Sequence, residues 1–103
     1  MCLIIVKSSS ATISDEIIEK ATKVNRDGWG IAVAASGRLS VRHGMKMGDA
    51  KAAIRDAEKE VALVHFRLAS AGKVCEENCQ PLWVSDSLVI AHNGHITGLA
   101  DGD

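Results

Sequence analysis

Val61-Ala62-Leu63-Val64-His65-Phe66 is a nearly unbroken apolar run, closed on its C-terminal side by Arg67. A run of this length, rich in apolar and β-branched residues, reads as a buried strand. Upstream of it, Gly48-Asp49 opens a helix with Asp49 as the cap and Ala53, Ile54 and Ala57 facing inward. The other face of that helix carries Lys51, Arg55, Asp56, Glu58 and Lys59, as a solvated face does. Further back, Ile31 to Ala35 and Leu39 to His43 flank Ser36-Gly37-Arg38, the pattern of a β-hairpin. Asn25-Arg26-Asp27-Gly28-Trp29-Gly30 is a turn, since its glycines supply backbone freedom. Ser14 to Val24 predicts another helix, with Ser14 as N-cap and Ile17, Ile18, Ala21 and Val24 at helical spacing. Leu3 to Val6 is a second buried strand. Downstream of Arg67, a long loop to Pro81 leads into Leu82-Trp83-Val84 and Leu88 to Ala91, a strand pair around Ser85-Asp86-Ser87. The chain then turns at His92-Asn93-Gly94. The order β, α, β, β, α, β, β, β predicts an α+β fold, with an antiparallel or mixed sheet covered by helices.

The 103 residues suffice for a single domain, taken as 1–103. With 47% hydrophobic and 24% charged residues, the composition is globular and not disordered. A net charge of -1 provides no electrostatic footprint for nucleic acid or an anionic membrane. Aromatics at 3%, with no Tyr, leave no stacking platform for single strands. No apolar run approaches membrane-spanning length, and Cys2 to Val6 is too short for a signal-peptide core. A cytoplasmic location is expected, with Cys2, Cys75 and Cys79 reduced.

Three features carry chemistry. Cys2 follows the initiator Met at the start of a strand, Arg67 directly follows a strand, and Asn93-Gly94 directly follows another. Strand ends of one sheet converge on one edge, where sites usually form. If Met1 is removed, Cys2 carries both a thiol and a free α-amine. The amine, with a reference pKa of about 7.7–8.0 against about 8.5 for the thiol, is a serviceable general base. Arg67 can hold a carboxylate by paired hydrogen bonds. The Asn93 side chain and the Gly94 amide can form an oxyanion hole. Each also has a plainer reading: a small buried hydrophobe for Cys2, a surface ion pair for Arg67, a hairpin turn for Asn93-Gly94. Cys75 and Cys79, with three residues between them, and His65, His92 and His95 raise the question of zinc. The spacing is looser than C-x-x-C and there is no second cysteine pair, so no metal is expected.

Taken together, Met1-Cys2, Asn25 to Ala32, His65 to Gly72, Asn78-Cys79-Gln80-Pro81 and Ala91 to Ile96 form an ordered series. It resembles the class II glutamine amidotransferases, above all the stand-alone amidotransferase-like proteins of bacteria and phages. The resemblance implies an αββα sandwich of the N-terminal-nucleophile hydrolase type, incomplete at its C-terminus. It implies that Cys2 attacks the carboxamide of glutamine and forms a γ-glutamyl thioester, releasing ammonia and then glutamate. Arg67 matches the arginine that grips the substrate α-carboxylate, and Ser70 stands near the substrate. Asn93 and Gly94 match the oxyanion hole, while Arg26 and Asp27 belong to a loop that supports the nucleophile. No cofactor is implied.

Leu3 stands where glycine commonly follows the nucleophile, Ala71 where His is frequent, and Gln80 where His usually precedes the Pro. Asp101 and Asp103 lie too close to Gly94 to match the family acid that binds the substrate α-amine. Glutamine is the expected small-molecule substrate. An ammonia-accepting protein partner and self-association are also expected. Two other readings stay open: a non-catalytic binding or inhibitory module, and an amidase acting on other γ-glutamyl compounds.

Overall fold

The computed structural model describes residues 2–69 and 73–93. Ten elements follow one another: β1 (Leu3–Lys7), α1 (Asp15–Val24), β2 (Trp29–Ala35), β3 (Arg38–Gly44), a 3-10 turn (Met47–Asp49), α2 (Ala50–Asp56), β4 (Val61–Phe66), a second 3-10 turn (Glu76–Asn78), β5 (Leu82–Ser85) and β6 (Leu88–Ile90). The order of strands and helices is the one expected from the sequence, and the fold is α+β.

Four strands make an antiparallel sheet in the order β1-β4-β2-β3, and β5 and β6 make a two-stranded antiparallel sheet. The apolar run Val61–Phe66 is therefore a central strand, paired on both sides. Register places Leu3 and Trp29 beside Phe66, and Ile5 and Ile31 beside Val64. Since side chains alternate across a strand, these residues share one face. That face packs against Ile18 and Ala21 of α1 and Ala50, Ala53 and Ile54 of α2, forming the core.

The helices differ from expectation in detail. Ser14 caps α1 as predicted, its side chain accepting from the Ile17 N–H at 3.2 Å. Ile17 and Val24 are half-exposed, however, and only Ile18 and Ala21 are buried. Successive helical residues are set about 100° apart, so Ile17 and Ile18 cannot both face a flat sheet. Asp49 makes no side-chain cap bond. The preceding 3-10 turn already engages the entering N–H groups, with Asp49 N donating to Lys46 O at 3.0 Å. The hairpin is also tighter than the sequence suggested: Ala35 pairs with Arg38 across Ser36-Gly37, both at positive φ. Two left-handed residues match the twist of a two-residue hairpin.

Asp15, at the start of α1, faces Lys51 and Arg55 of α2. The Arg55 guanidinium, then Lys51, holds its carboxyl below the ordinary carboxylate range.

The expected first strand ends at Val6, whereas β1 extends to Lys7. Lys7 continues the inward series of Leu3 and Ile5 and is buried. Its Nζ donates to the carbonyl oxygens of Ser8 (2.9 Å), Glu58 (2.9 Å) and Glu60 (2.6 Å), tying the chain just beyond α2 to the end of β1. We expect Lys7→Met to lower stability by ~2–3 kcal/mol, since buried carbonyls lose a charged donor. Urea denaturation checks this, and a loss under ~0.5 kcal/mol would mean that water replaces the bonds.

The β5–β6 layer lies against part of the second face of the large sheet, where Val6 on the edge strand stays exposed. His43 on β3 bonds through Nε2 to Pro81 O at 2.7 Å. An apolar cleft of about 160 Å³ between the layers is lined by residues that include Ala32, Leu63, Val89 and Ala91. Gly30 is where the layers come closest. A Cβ built there would stand 1.8 Å from Gln80 O, so only glycine lets the main chain of residue 80 pass over β2. The side chains of Leu82, Trp83, Val84, Leu88 and Ile90 remain substantially exposed. No helix among the described residues is long and apolar enough to cross a membrane.

Candidate active site

Cys2 lies at the entry to β1, and the edge strand places it beside the exit of β4, because Leu3 pairs with Phe66. Cys2 is partly exposed, and its Sγ lies 3.8 Å from Leu68 O. On its other side stands Asn93, three residues past β6, whose Oδ1 accepts from Cys2 N at 2.8 Å. The two residues are 91 apart in sequence. An N–H can donate only to the carbonyl oxygen of the amide, so this contact fixes which end of the Asn93 side chain faces Cys2. The Nδ2 donors are thereby directed away from the Cys2 nitrogen.

The turn before β2 braces the same edge. Asp27 N donates to Arg67 O at 2.8 Å, and Arg67 N donates to Gly28 O at 2.9 Å, extending the β2–β4 ladder beyond its last regular pair. Asp27 Oδ2 then accepts from Ala69 N at 2.8 Å, which holds the segment that lies under the Cys2 thiol. Asp27 thus has a supporting position. Arg26 is exposed and makes no side-chain hydrogen bond among the described residues. Gly28 has φ +123°, and a Cβ there would meet Cys79 Sγ at 2.4 Å, so both the backbone angle and the space require glycine.

Arg67 is fully buried, unlike the surface ion pair that was its plainer reading. Its Nη1 donates to Lys73 O at 2.8 Å, an oxygen that Asn78 Nδ2 also reaches at 2.8 Å. The guanidinium is thus enclosed by the loop that carries the second 3-10 turn. Ser70 and Gly94, the remaining candidate site residues, lie outside the described residues. The candidate groups that come together are Cys2, Asn93, Asp27 and the Arg67–Ala69 segment.

Sequence reasoning underrated two residues. Gln80 is buried, and its Oε1 accepts from His92 N at 2.7 Å. His65, buried on the second face of β4, lies with Nε2 3.3 Å from His92 O. The available signals were a polar residue within an apolar strand and a glutamine directly before the only Pro.

The larger clefts lie away from Cys2. One of about 540 Å³ sits at the hairpin tips, lined by residues that include Ser36, Arg38 and Asp86. Another, of about 710 Å³, runs along β3 and α2 past Trp29, His43 and Asp49. Neither contains a cysteine, so the chemistry and not the concavity locates the candidate site. Among the described residues no three His, Cys, Asp or Glu side chains are grouped to hold a metal ion.

Comparison with known proteins identifies the family. The family model described as "Glutamine amidotransferases class-II" matches residues 16–102. That span takes in Asp27, Arg67 and Asn93 and begins after Cys2. Among curated proteins and solved structures no match was found. With most of its length matched, and with the Asp-Gly turn, the arginine after β4 and the asparagine after β6 gathered at one sheet edge, this chain belongs to the class II glutamine amidotransferase family.

Proposed function

We propose that the protein is a glutamine amidohydrolase, performing the ammonia-releasing half of an amidotransferase reaction with Cys2 as its N-terminal nucleophile. The observation that carries this reading is the 2.8 Å contact between Cys2 N and Asn93 Oδ1. Once Met1 is removed, that nitrogen is an amine. One of its N–H bonds then donates to Asn93, and its lone pair is left to take the thiol proton.

Sγ gives its proton to the α-amine and attacks the carboxamide carbon of glutamine. The developing oxyanion is held by Asn93 Nδ2 and the Gly94 N–H. The tetrahedral intermediate collapses, the ammonium form of the amine protonates the leaving nitrogen, and ammonia departs from a γ-glutamyl thioester. A water molecule, deprotonated by the same amine, then cleaves the thioester to glutamate and regenerates the thiol. Arg67 holds the substrate α-carboxylate, with Ser70 nearby, and the Asp27 contact to Ala69 keeps the floor under the thiol fixed. The N-terminal-nucleophile sandwich belongs to this reading, supported by helices on one face of the main sheet and a second sheet on the other. A protein that accepts the ammonia, and association of the chain with itself, belong to it too.

Intact mass spectrometry tests the proposal. The expected spectrum lacks Met1 and gains one adduct, mapped to Cys2, after incubation with a diazo-ketone analogue of glutamine. Retained Met1, or a processed chain that takes no adduct, would favour the non-catalytic reading.

A further inference from the structure

The geometry points to Gln80 and His65 as positioning residues that clamp the main chain at His92 and so hold Asn93 against Cys2. This rests on the glutaminase reading above. Asn93 is exposed and stands past the end of β6, where a loop has little packing to hold it. An oxyanion donor is effective only when its position is fixed before the reaction, because reorientation during the chemical step costs rate. The bond from Cys2 N holds the tip of the Asn93 side chain, so the main chain of residue 93 needs a restraint of its own.

Two buried side chains supply the restraint. Gln80 Oε1 accepts from His92 N at 2.7 Å. His65 Nε2 lies 3.3 Å from His92 O, and because a carbonyl oxygen only accepts, Nε2 carries the proton. The two bonds hold the peptide units on either side of His92. The second of these units includes the nitrogen of Asn93, so residue 93 leaves a main chain fixed at both flanking planes.

Each anchor is itself buried. His65 lies in the central strand β4, paired with Gly30 on one side and Ile4 on the other. Gln80 is fully buried, and its main chain rests on Gly30. Its Nε2 is buried with no hydrogen-bond partner among the described residues. A buried amide that satisfies its oxygen and leaves its nitrogen unpaired costs stability, and such costs concentrate where a position is needed for function. The line of support runs from Gly30 through Gln80 and His92 to Asn93 and Cys2.

Gln80→Met, which keeps the volume and removes the acceptor, tests the clamp in the full chain. Three quantities are read: exchange of the His92 amide by NMR, labelling of Cys2 by the diazo-ketone analogue, and alkylation of Cys2 by iodoacetamide. We expect His92 exchange to quicken about tenfold and analogue labelling to slow about tenfold, with iodoacetamide alkylation within about twofold of the parent. Gln80→Glu, which keeps an acceptor oxygen, is expected to bring exchange and analogue labelling back to within about threefold of the parent. Unchanged His92 exchange in Gln80→Met overturns the clamp. So does a parallel fall in both labelling rates, which would mean that only thiol exposure had changed. If the parent itself takes no analogue, the glutaminase reading fails and His92 exchange alone decides the clamp. Should Gln80→Met not fold, Gln80→Asn, which draws the acceptor back by one methylene, is judged by the same criteria.

Discussion

A Cys2→Ala protein is expected to release ammonia from glutamine at no more than ~10⁻⁴ of the parent rate. The substitution removes the proposed nucleophile at the edge where β1, β4 and the residues after β6 meet, and leaves at most the oxyanion donors and substrate contacts. It should do so without unfolding the chain. Cys2 is partly exposed, its thiol makes one long contact at 3.8 Å to Leu68 O, and the bond from its main-chain nitrogen to Asn93 survives the change. Stability should move by less than ~1 kcal/mol. The same loss of activity is expected when an uncleaved extension keeps Cys2 N in a peptide bond, since an amide nitrogen is no base at neutral pH. A coupled ammonia assay on the two proteins reads both effects. Turnover of the alanine variant above a tenth of the parent rate would remove Cys2 from the mechanism, and activity of the extended form would remove the α-amine.

The largest effect on stability is expected at Gly30. A Cβ there would lie 1.8 Å from Gln80 O, 2.7 Å from its carbonyl carbon and 2.8 Å from His43 Cδ2. Two of these atoms are main chain, so no rotamer change relieves the contact. Either the β5–β6 layer lifts from the large sheet or β2 leaves its register. Lifting the layer would break the His43–Pro81 bond and shift Gln80 from His92. Overpacking alone costs ~1–3 kcal/mol, and a backbone clash with two dependent hydrogen bonds should reach or exceed the upper end. Gly30→Ala should therefore lower the denaturation free energy by at least ~3 kcal/mol. Gly48→Ala is the control, because a Cβ at that position meets nothing within 4 Å. A Gly30→Ala protein as stable as the Gly48→Ala protein would show that the two layers do not meet as described.

Much of this architecture is legible from local pattern. The apolar run at Val61–Phe66, the Ser14 cap and the Ser36-Gly37 hairpin each reveal an element, because the signal lies within a few residues of its effect. Where the local pattern misled, a neighbouring element had changed the need. Asp49 does not cap α2 because a 3-10 turn leads into it, and Ile17 stays half-exposed because the sheet admits only the Ile18 stripe of α1. Lys7 lies just past the apolar run that predicts the first strand, yet the loop after α2 places two carbonyl groups within its reach, and Ser8 a third.

The candidate site divides in the same way. The order of strands and helices, the residue types able to do the chemistry, and the family are legible along the chain, since short motifs and their order are local. Folding in three dimensions is what brings Cys2 N to Asn93 Oδ1 across 91 residues, encloses Arg67 beneath the Lys73 carbonyl, and seats Gln80 on Gly30 to grip His92. These contacts depend on the register of β4 between β1 and β2 and on how closely a second layer can approach the sheet. Both are settled by packing among distant residues, which no single stretch of sequence contains.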